Sequence, residues 1–270
     1  MNPINLEQLL LIAIKASIDA GRAIMSIYDS ADFGTEFKKD DSPLTRADLE
    51  SNRVIMSYLT QTNIPIISEE NKNLDYSERK TWGICWMVDP LDGTKEFIKQ
   101  NGEFTVNIAL IKNGAPILGV IYVPVTKELY YANVEKGNSY KVTLEGDTNM
   151  LRDNLLGREH LIKPKEKRDV STRVVGSRSH MNEQTEHFIE ELKKEGKEVE
   201  IVSKGSSLKF CIVAEGEADV YPRVAPTMEW DTAAGHAICA AMGLKVTNWE
   251  TGKDLVYNKE NLLNPFFLVK

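Results

Sequence analysis

The sequence predicts an α/β fold of stacked layers, with an α+β half over residues 1–160 and an α/β half over residues 161–270. Three observations carry this reading. Leu6 to Tyr28 places apolar side chains at spacings of three and four, the mark of a long amphipathic helix. Residues 104–134 read as successive antiparallel strands joined by short turns. After residue 171, strand-like runs alternate with helical ones. At 270 residues the chain can bury a core large enough to need no covalent staple.

Taken in order, the first helix carries Leu6, Leu9, Leu10, Ala13, Ala16, Ala20, Ile24 and Ile27 on one side. Residues 33–42 are polar and charged, with Lys38-Lys39-Asp40-Asp41 after Gly34, and read as a hairpin or loop. Thr45 and Asp48 are spaced as a capping box with aspartate in place of glutamate, which predicts a helix to about Thr60. Ile64 to Ile67 is a short apolar run that ends in Ser68-Glu69-Glu70. Phe104 to Ile111, Ile117 to Val123 and Leu129 to Val134 are the antiparallel strands, with helices expected on one face of the sheet they form. A polar stretch over 153–171 connects the halves. Arg173 to Val175, Glu198 to Val202 and Ala218 to Tyr221 are then expected as strands, with helices from Asn182 to Lys194 and from Ser206-Ser207 onward. The last long helix starts near Met228-Glu229-Trp230-Asp231, and its alanines suit close packing. Short strands at 245–249 and 265–269 finish the chain.

The chemistry concentrates at Trp86 to Phe97. Ile84 to Val88 is a buried-strand run, and Asp89 should be its last residue because Pro90 cannot donate to a ladder. Asp92 returns beside Asp89. Gly93 allows a ligand close to the backbone, and Thr94 is placed to cap a helix begun by Lys95-Glu96-Phe97, whose free N–H groups suit an anion. A bare pair of acids three residues apart is ordinary in a solvated loop. The full Asp-Pro-Leu-Asp-Gly-Thr string at a strand end instead sets hard oxygen ligands beside a phosphate-sized site.

Composition narrows the alternatives. Cys85, Cys211 and Cys239 stand apart in apolar surroundings with no C-x-x-C spacing, and the histidines form no zinc motif. A net charge of −7 argues against nucleic-acid partners. No run reaches the apolar length of a membrane helix, and the N-terminal residues lack the basic start of a signal peptide. A cytoplasmic protein is expected.

Ser68-Glu69-Glu70, Asp89-Pro90-Leu91-Asp92-Gly93-Thr94 and Trp230-Asp231-Thr232-Ala233-Ala234-Gly235 together resemble the inositol monophosphatase superfamily of magnesium-dependent, lithium-sensitive phosphatases. Residues 94–98, 101–110 and 205–211 resemble more narrowly its 3′(2′),5′-bisphosphate nucleotidases of the CysQ type. The resemblance implies an αβαβα sandwich. It implies that Glu69, Asp89, Asp92, Asp231 and the carbonyl of Leu91 bind two or three Mg2+ ions, with Mn2+ as a substitute and Li+ as an inhibitor. Two carboxylates about 4 Å apart repel by roughly 1 kcal/mol in water and roughly 4 at an effective dielectric near 20, so such a cluster needs cations or protons.

The resemblance further implies that Thr94, with Asp48 or Glu70, orients the attacking water, that Gly93 and Thr94 hold the reacting phosphate, and that Lys38 or Lys39 is the lysine of a mobile loop. It assigns Ser206, Lys209 and Arg223 to a second phosphate and the nucleoside, and His180 to the vicinity of the base. Glu69, Leu91, Asp92 and Asp231 then also line the substrate site. The implied reaction is hydrolysis of adenosine 3′,5′-bisphosphate to AMP and phosphate, with 3′-phosphoadenylyl sulfate as a second substrate, in sulfur assimilation. A monomer or homodimer is expected, with peripheral attachment on the cytoplasmic side of the inner membrane as one possible location. The rival readings are an inositol or sugar phosphate phosphatase and a non-catalytic magnesium-binding protein.

Overall fold

The structure, a computed structural model, describes residues 5–30, 34, 36–37, 43–71, 75–145, 155–166, 171–176 and 183–270. In chain order the elements are α1 (Leu6–Tyr28), β1 (Glu36–Phe37), β2 (Pro43–Leu44), α2 (Arg46–Leu59), β3 (Ile66–Ser68), α3 (Tyr76–Arg79), β4 (Ile84–Asp92), α4 (Thr94–Ile98), β5 (Thr105–Lys112), β6 (Ala115–Val123) and β7 (Glu128–Asn133). There follow β8 (Asn138–Thr143), β9 (Ser171–Val175), α5 (Glu183–Lys194), β10 (Glu198–Val202), α6 (Leu208–Ala214), β11 (Tyr221–Arg223), α7 (Glu229–Ala241), β12 (Val246–Asn248) and β13 (Phe267–Val269).

A six-stranded sheet in the order β3-β4-β5-β6-β7-β8 is the centre of the molecule. Its β3–β4 pair is parallel and the remaining pairs are antiparallel. Period-two alternation sorts the side chains of β4: Trp86 and Val88 join the core beneath α1 and α2, while Cys85 and Met87 join the core on the opposite face. The second face belongs to α6 and α7, so the sheet is covered on both sides and not on one, as the N-terminal half read alone suggests. Both sides of β4 to β7 are consequently apolar, which is why those strands read as nearly unbroken hydrophobic runs.

Small residues set the α7 contact. A Cβ on Gly119 would lie 2.5 Å from the Ala234 carbonyl oxygen and 2.6 Å from the Ala237 Cβ, so helix and strand touch where neither has bulk. Beyond α6 and α7 lie β9 and β10, a parallel pair, and the antiparallel set β11-β13-β12. A parallel bridge from Val174 to Val220 links the two. The strand expected at Ala218 to Tyr221 is thus shifted, with β11 at Tyr221–Arg223. Ile189 of α5 packs with Val174 and Val220 on the outer face and completes the fifth layer of the αβαβα sandwich.

Candidate active site

The site forms where β3, β4, α2, α4, α6 and α7 bring their ends together. On β4 the strand does not stop at Asp89 but runs through Pro90 to Asp92. Asp89 pairs with Asn107 and Asp92 with Thr105, so three steps along β4 match two along β5. This extra residue is a bulge, and it matters: two acids three apart on a regular strand point to opposite faces, whereas the bulge turns both to the same cleft. Ser51 Oγ donates to the Pro90 carbonyl at 2.6 Å and the Leu91 N–H donates to Asp89 Oδ1 at 3.0 Å, holding the irregular stretch in place.

Gly93 then takes a left-handed φ of +94°, and it is Gly93, not Thr94, that caps α4. Freed from capping, the Thr94 hydroxyl donates to Asp48 Oδ1 at 3.2 Å, with the Leu91 carbonyl at 3.5 Å. The other carboxylate oxygen of Asp48 accepts from both the N–H and the hydroxyl of Thr45, at 2.7 and 2.6 Å. The capping box read from sequence therefore also aims the Asp48 carboxylate at Thr94. Asp48, one of the two acids considered as partners of Thr94, is hydrogen-bonded to it; Glu70 lies half-buried on the turn after β3.

Carboxylate oxygens of Glu69, Asp89 and Asp231 lie within 4.8 Å of one another. Burial, followed by the charges of Glu69, Asp92, Asp231 and Asp48, pushes the Asp89 carboxyl well above the usual carboxylate range. Burial and Asp92 push Asp231 the same way, against the Met228 N–H that donates to Asp231 Oδ2 at 2.8 Å. Asp231 thus caps α7 with one oxygen and joins the cluster as well. Three buried or half-buried acids with all-oxygen donors and no histidine or cysteine fit a hard divalent cation, which would offset the repulsion that otherwise favours protonation.

Asp92, Gly93, Glu96, Thr227 and Asp231 are shared by the two lobes of one cleft. A lobe of about 490 Å³ holds Glu69, Asp89, Leu91 and Thr94, with Trp230 and Leu263 as its apolar wall. The other, of about 460 Å³, gathers the cations Lys99, Lys204, Lys209 and Arg223 with Ser206 and Tyr221, beside Glu96 and Glu103. Lys209 Nζ donates to the Ser206 carbonyl at 2.9 Å; burial pulls its ammonium below the ordinary lysine range, and Asp92 opposes that pull. Arg223 Nη2 donates to the Pro226 carbonyl at 3.2 Å, while its Nε is buried with no hydrogen-bond partner among the described residues.

Several residues here were not singled out from sequence. Tyr221 lines the cationic lobe, its hydroxyl pushed up to about 12 by burial. Glu103 accepts from the Gly205 N–H at 2.8 Å and faces Lys204 at 3.7 Å. Thr105 and Asn107 are fully buried at the end of β5, beside Asp92. Two polar residues at alternate positions of an otherwise apolar strand were a signal available in the sequence. The Ser206 and Ser207 hydroxyls turn toward Asp92, Thr105 and Asn107, and Ser207 makes no side-chain cap to α6. His180, Lys38 and Lys39 lie outside the described residues.

The model of the inositol monophosphatase family matches residues 5–265. The chain belongs to the inositol monophosphatase family. Among its relatives, the 3′(2′),5′-bisphosphate nucleotidase CysQ of Salmonella typhimurium strain LT2 is 46% identical over 256 residues, spanning 93% of this chain and 95% of that one. The crystal structure of CysQ from Bacteroides thetaiotaomicron, a bacterial member of the inositol monophosphatase family, superposes with a TM-score of 0.87 at 48% identity, covering 99% and 98% of the two chains. The extragenic suppressor protein suhB from Bartonella henselae shares the fold at a TM-score of 0.73 and 22% identity, over 96% of this chain and 93% of that one. Within this family the chain is therefore similar to CysQ proteins along almost its whole length. Among the described residues, no helix is long and apolar enough to cross a membrane.

Proposed function

We propose that this protein is a metal-dependent 3′(2′),5′-bisphosphate nucleotidase that hydrolyses adenosine 3′,5′-bisphosphate to AMP and phosphate. The observation that carries the reading is the two-lobed cleft: an acidic lobe able to hold a cation opens directly onto a lobe carrying Lys204, Lys209 and Arg223. A substrate with two phosphates suits such a cleft, and the Arg223 guanidinium that lines it is a donor suited to the second. The names of the CysQ relatives support the same substrate class.

Glu69, Asp89, Asp92, Asp231 and the Leu91 carbonyl are the residues we assign to hold magnesium, with manganese as a substitute and lithium as an inhibitor. Bound there, a divalent cation supplies positive charge that polarises the phosphate and acidifies water. Thr94 gives its proton to Asp48, so its oxygen is left to accept one from water and align it with phosphorus. Asp48, pinned by Thr45, keeps that hydroxyl in one orientation and is the acceptor toward which the water's proton moves. The N–H groups of Gly93 and Thr94 steady the phosphate. Lys209 and Arg223 orient the remote phosphate and place the ester bond, so that binding energy away from phosphorus serves the reaction.

The cytoplasm is our proposed compartment, which the three buried free thiols suit, and 3′-phosphoadenylyl sulfate our proposed second substrate, in sulfur assimilation. The division at residue 160 we retain as a proposal on domain organisation. Steady-state phosphate release from adenosine 3′,5′-bisphosphate, its 2′,5′ isomer and inositol 1-phosphate tests the reading. Preference for the bisphosphates supports it; preference for inositol 1-phosphate makes the protein an inositol phosphatase, and no release with magnesium or manganese leaves only a binding protein.

A further inference from the structure

A buried line of hydroxyls joins the two lobes. Ser206 Oγ donates to Asp92 Oδ2 at 2.6 Å and sits 2.6 Å from Thr105 Oγ1. Thr105 Oγ1 is in turn 2.8 Å from Ser207 Oγ and 3.0 Å from Asn107 Oδ1, which Ser207 Oγ also reaches at 2.8 Å. Asn107 Nδ2 closes the loop on Asp92 Oδ2 at 3.4 Å. Ser206 gives its proton to Asp92 and so accepts one from Thr105, a chain in which each bond polarises the other, while Ser207 donates to Asn107 Oδ1.

Ser206 is the joint of this line. Its hydroxyl serves Asp92 in the acidic lobe, and its carbonyl accepts from Lys209 Nζ in the cationic lobe. It is also one of the few described non-glycine residues with positive φ, at +51°. A serine is held in that conformation only when its surroundings over-determine it, and such residues concentrate where strain serves function. Here the surroundings are Thr105 behind the side chain, Lys209 on the carbonyl and, just before it, Gly205, whose N–H is held by Glu103.

We propose that Thr105 is a positioning residue that locks Ser206 between the lobes, so that occupancy of the cationic lobe by the second phosphate is transmitted to Asp92 and appears in kcat as well as in binding. The inference rests on the bisphosphate reading given above. It differs from a simple binding role, because a phosphate held only by cations alters affinity without altering the acidic lobe. An anion that draws Lys209 away from the Ser206 carbonyl changes the field at Ser206, and the hydroxyl line fixes what that change reaches.

The test uses Thr105→Val, which keeps the shape but removes the hydroxyl, Thr105→Ser, which restores it, and Ser206→Gly, which relieves the backbone and removes the link. Wild-type enzyme is measured on adenosine 3′,5′-bisphosphate and on 3′-AMP; lack of preference for the bisphosphate defeats the substrate reading itself. Given that preference, the expected result is a kcat ratio between the two substrates that falls at least tenfold in Thr105→Val and Ser206→Gly and recovers in Thr105→Ser. An equilibrium readout accompanies it: AMP should tighten Mn2+ binding, measured by calorimetry, at least fivefold in wild type and less than twofold in both defective variants. Should Thr105→Val unfold, Ser206→Gly carries the test, since glycine tolerates the positive φ. Unchanged kcat ratios with unchanged coupling between AMP and Mn2+ in folded variants would reduce Thr105 to a packing role and overturn the inference.

Discussion

Thr94 Oγ1 donates to Asp48 Oδ1 at 3.2 Å, while the opposite oxygen of the same carboxylate is fully engaged by Thr45. A helix cap and the orientation of the Thr94 hydroxyl thereby depend on a single buried acid. Thr94→Val is expected to lower kcat by about a hundredfold, within the range for losing acid–base assistance, with little change in KM, and Thr94→Ser to retain most of it. Asp48→Asn should lower kcat comparably and cost about 1 kcal/mol of stability through the weakened cap. Steady-state kinetics together with urea unfolding checks both, and a Thr94→Val enzyme near wild-type kcat would remove the hydroxyl from the mechanism.

The acid cluster predicts a pH dependence of stability in metal-free protein. Asp89 and Asp231 carry raised carboxyls, so the folded chain binds protons that the unfolded chain has already released. Stability from these groups is therefore present at low pH and is lost as pH rises from the ordinary value near 3.8 through the raised values. Asp89→Asn should stabilise the metal-free protein at neutral pH, by about 1.4 kcal/mol for each pKa unit relieved, while abolishing turnover. Magnesium should raise the wild-type Tm more at pH 8 than at pH 5, and should release protons on binding. Equal metal-induced Tm shifts at both pH values would contradict the cluster as the cation site.

His236 gives the opposite sign. It is buried against Tyr257, with Nδ1 3.0 Å from the phenol oxygen, and burial lowers its pKa from 6.5 to about 4. The unfolded chain takes up a proton there first, so stability is lost as pH falls from about 6.5 and levels off below about 4. The loss amounts to roughly 3 kcal/mol at most. His236→Gln should flatten this limb in metal-saturated protein, which chemical denaturation at pH 7, 5.5 and 4.5 measures directly.

Lithium offers a separate check on the cation site. It should inhibit, and the inhibition should vary with magnesium concentration, because a monovalent ion in one of the positions supplies too little charge to the departing oxygen. Lithium-insensitive phosphate release across a magnesium titration would set this protein apart from the behaviour its sequence resemblance implies.

Much of this was legible in the sequence because it is local. The spacing of Leu6 to Tyr28 marks α1 to the residue, and Thr45 with Asp48 announces the start of α2. The end of β4 was not legible: Pro90 signals a stop, yet a bulge carries the strand to Asp92, and its pairing with Thr105 depends on a strand the local sequence does not contain. The coverage of the central sheet by α7 is equally non-local, since Gly119 and Ala237 meet across more than a hundred residues. In the site, the acids stood out because their motifs are compact. Tyr221, Thr105 and Asn107 did not, because each looks like an ordinary strand residue until the fold sets Ser206 and Asp92 beside them.

The central claim is that one cleft separates a reacting phosphate, held at the acids, from a second phosphate read by Lys209 and Arg223. The most direct measurement is kcat/KM of wild type, Lys209→Ala and Arg223→Ala on adenosine 3′,5′-bisphosphate and on 3′-AMP. Each substitution removes a charge-assisted contact worth roughly 1.5 to 3 kcal/mol, so activity on the bisphosphate should fall about ten- to a hundredfold. Activity on 3′-AMP, which lacks the second phosphate, should change little. Equal proportional losses on both substrates would contradict the account and return Lys209 and Arg223 to structural roles.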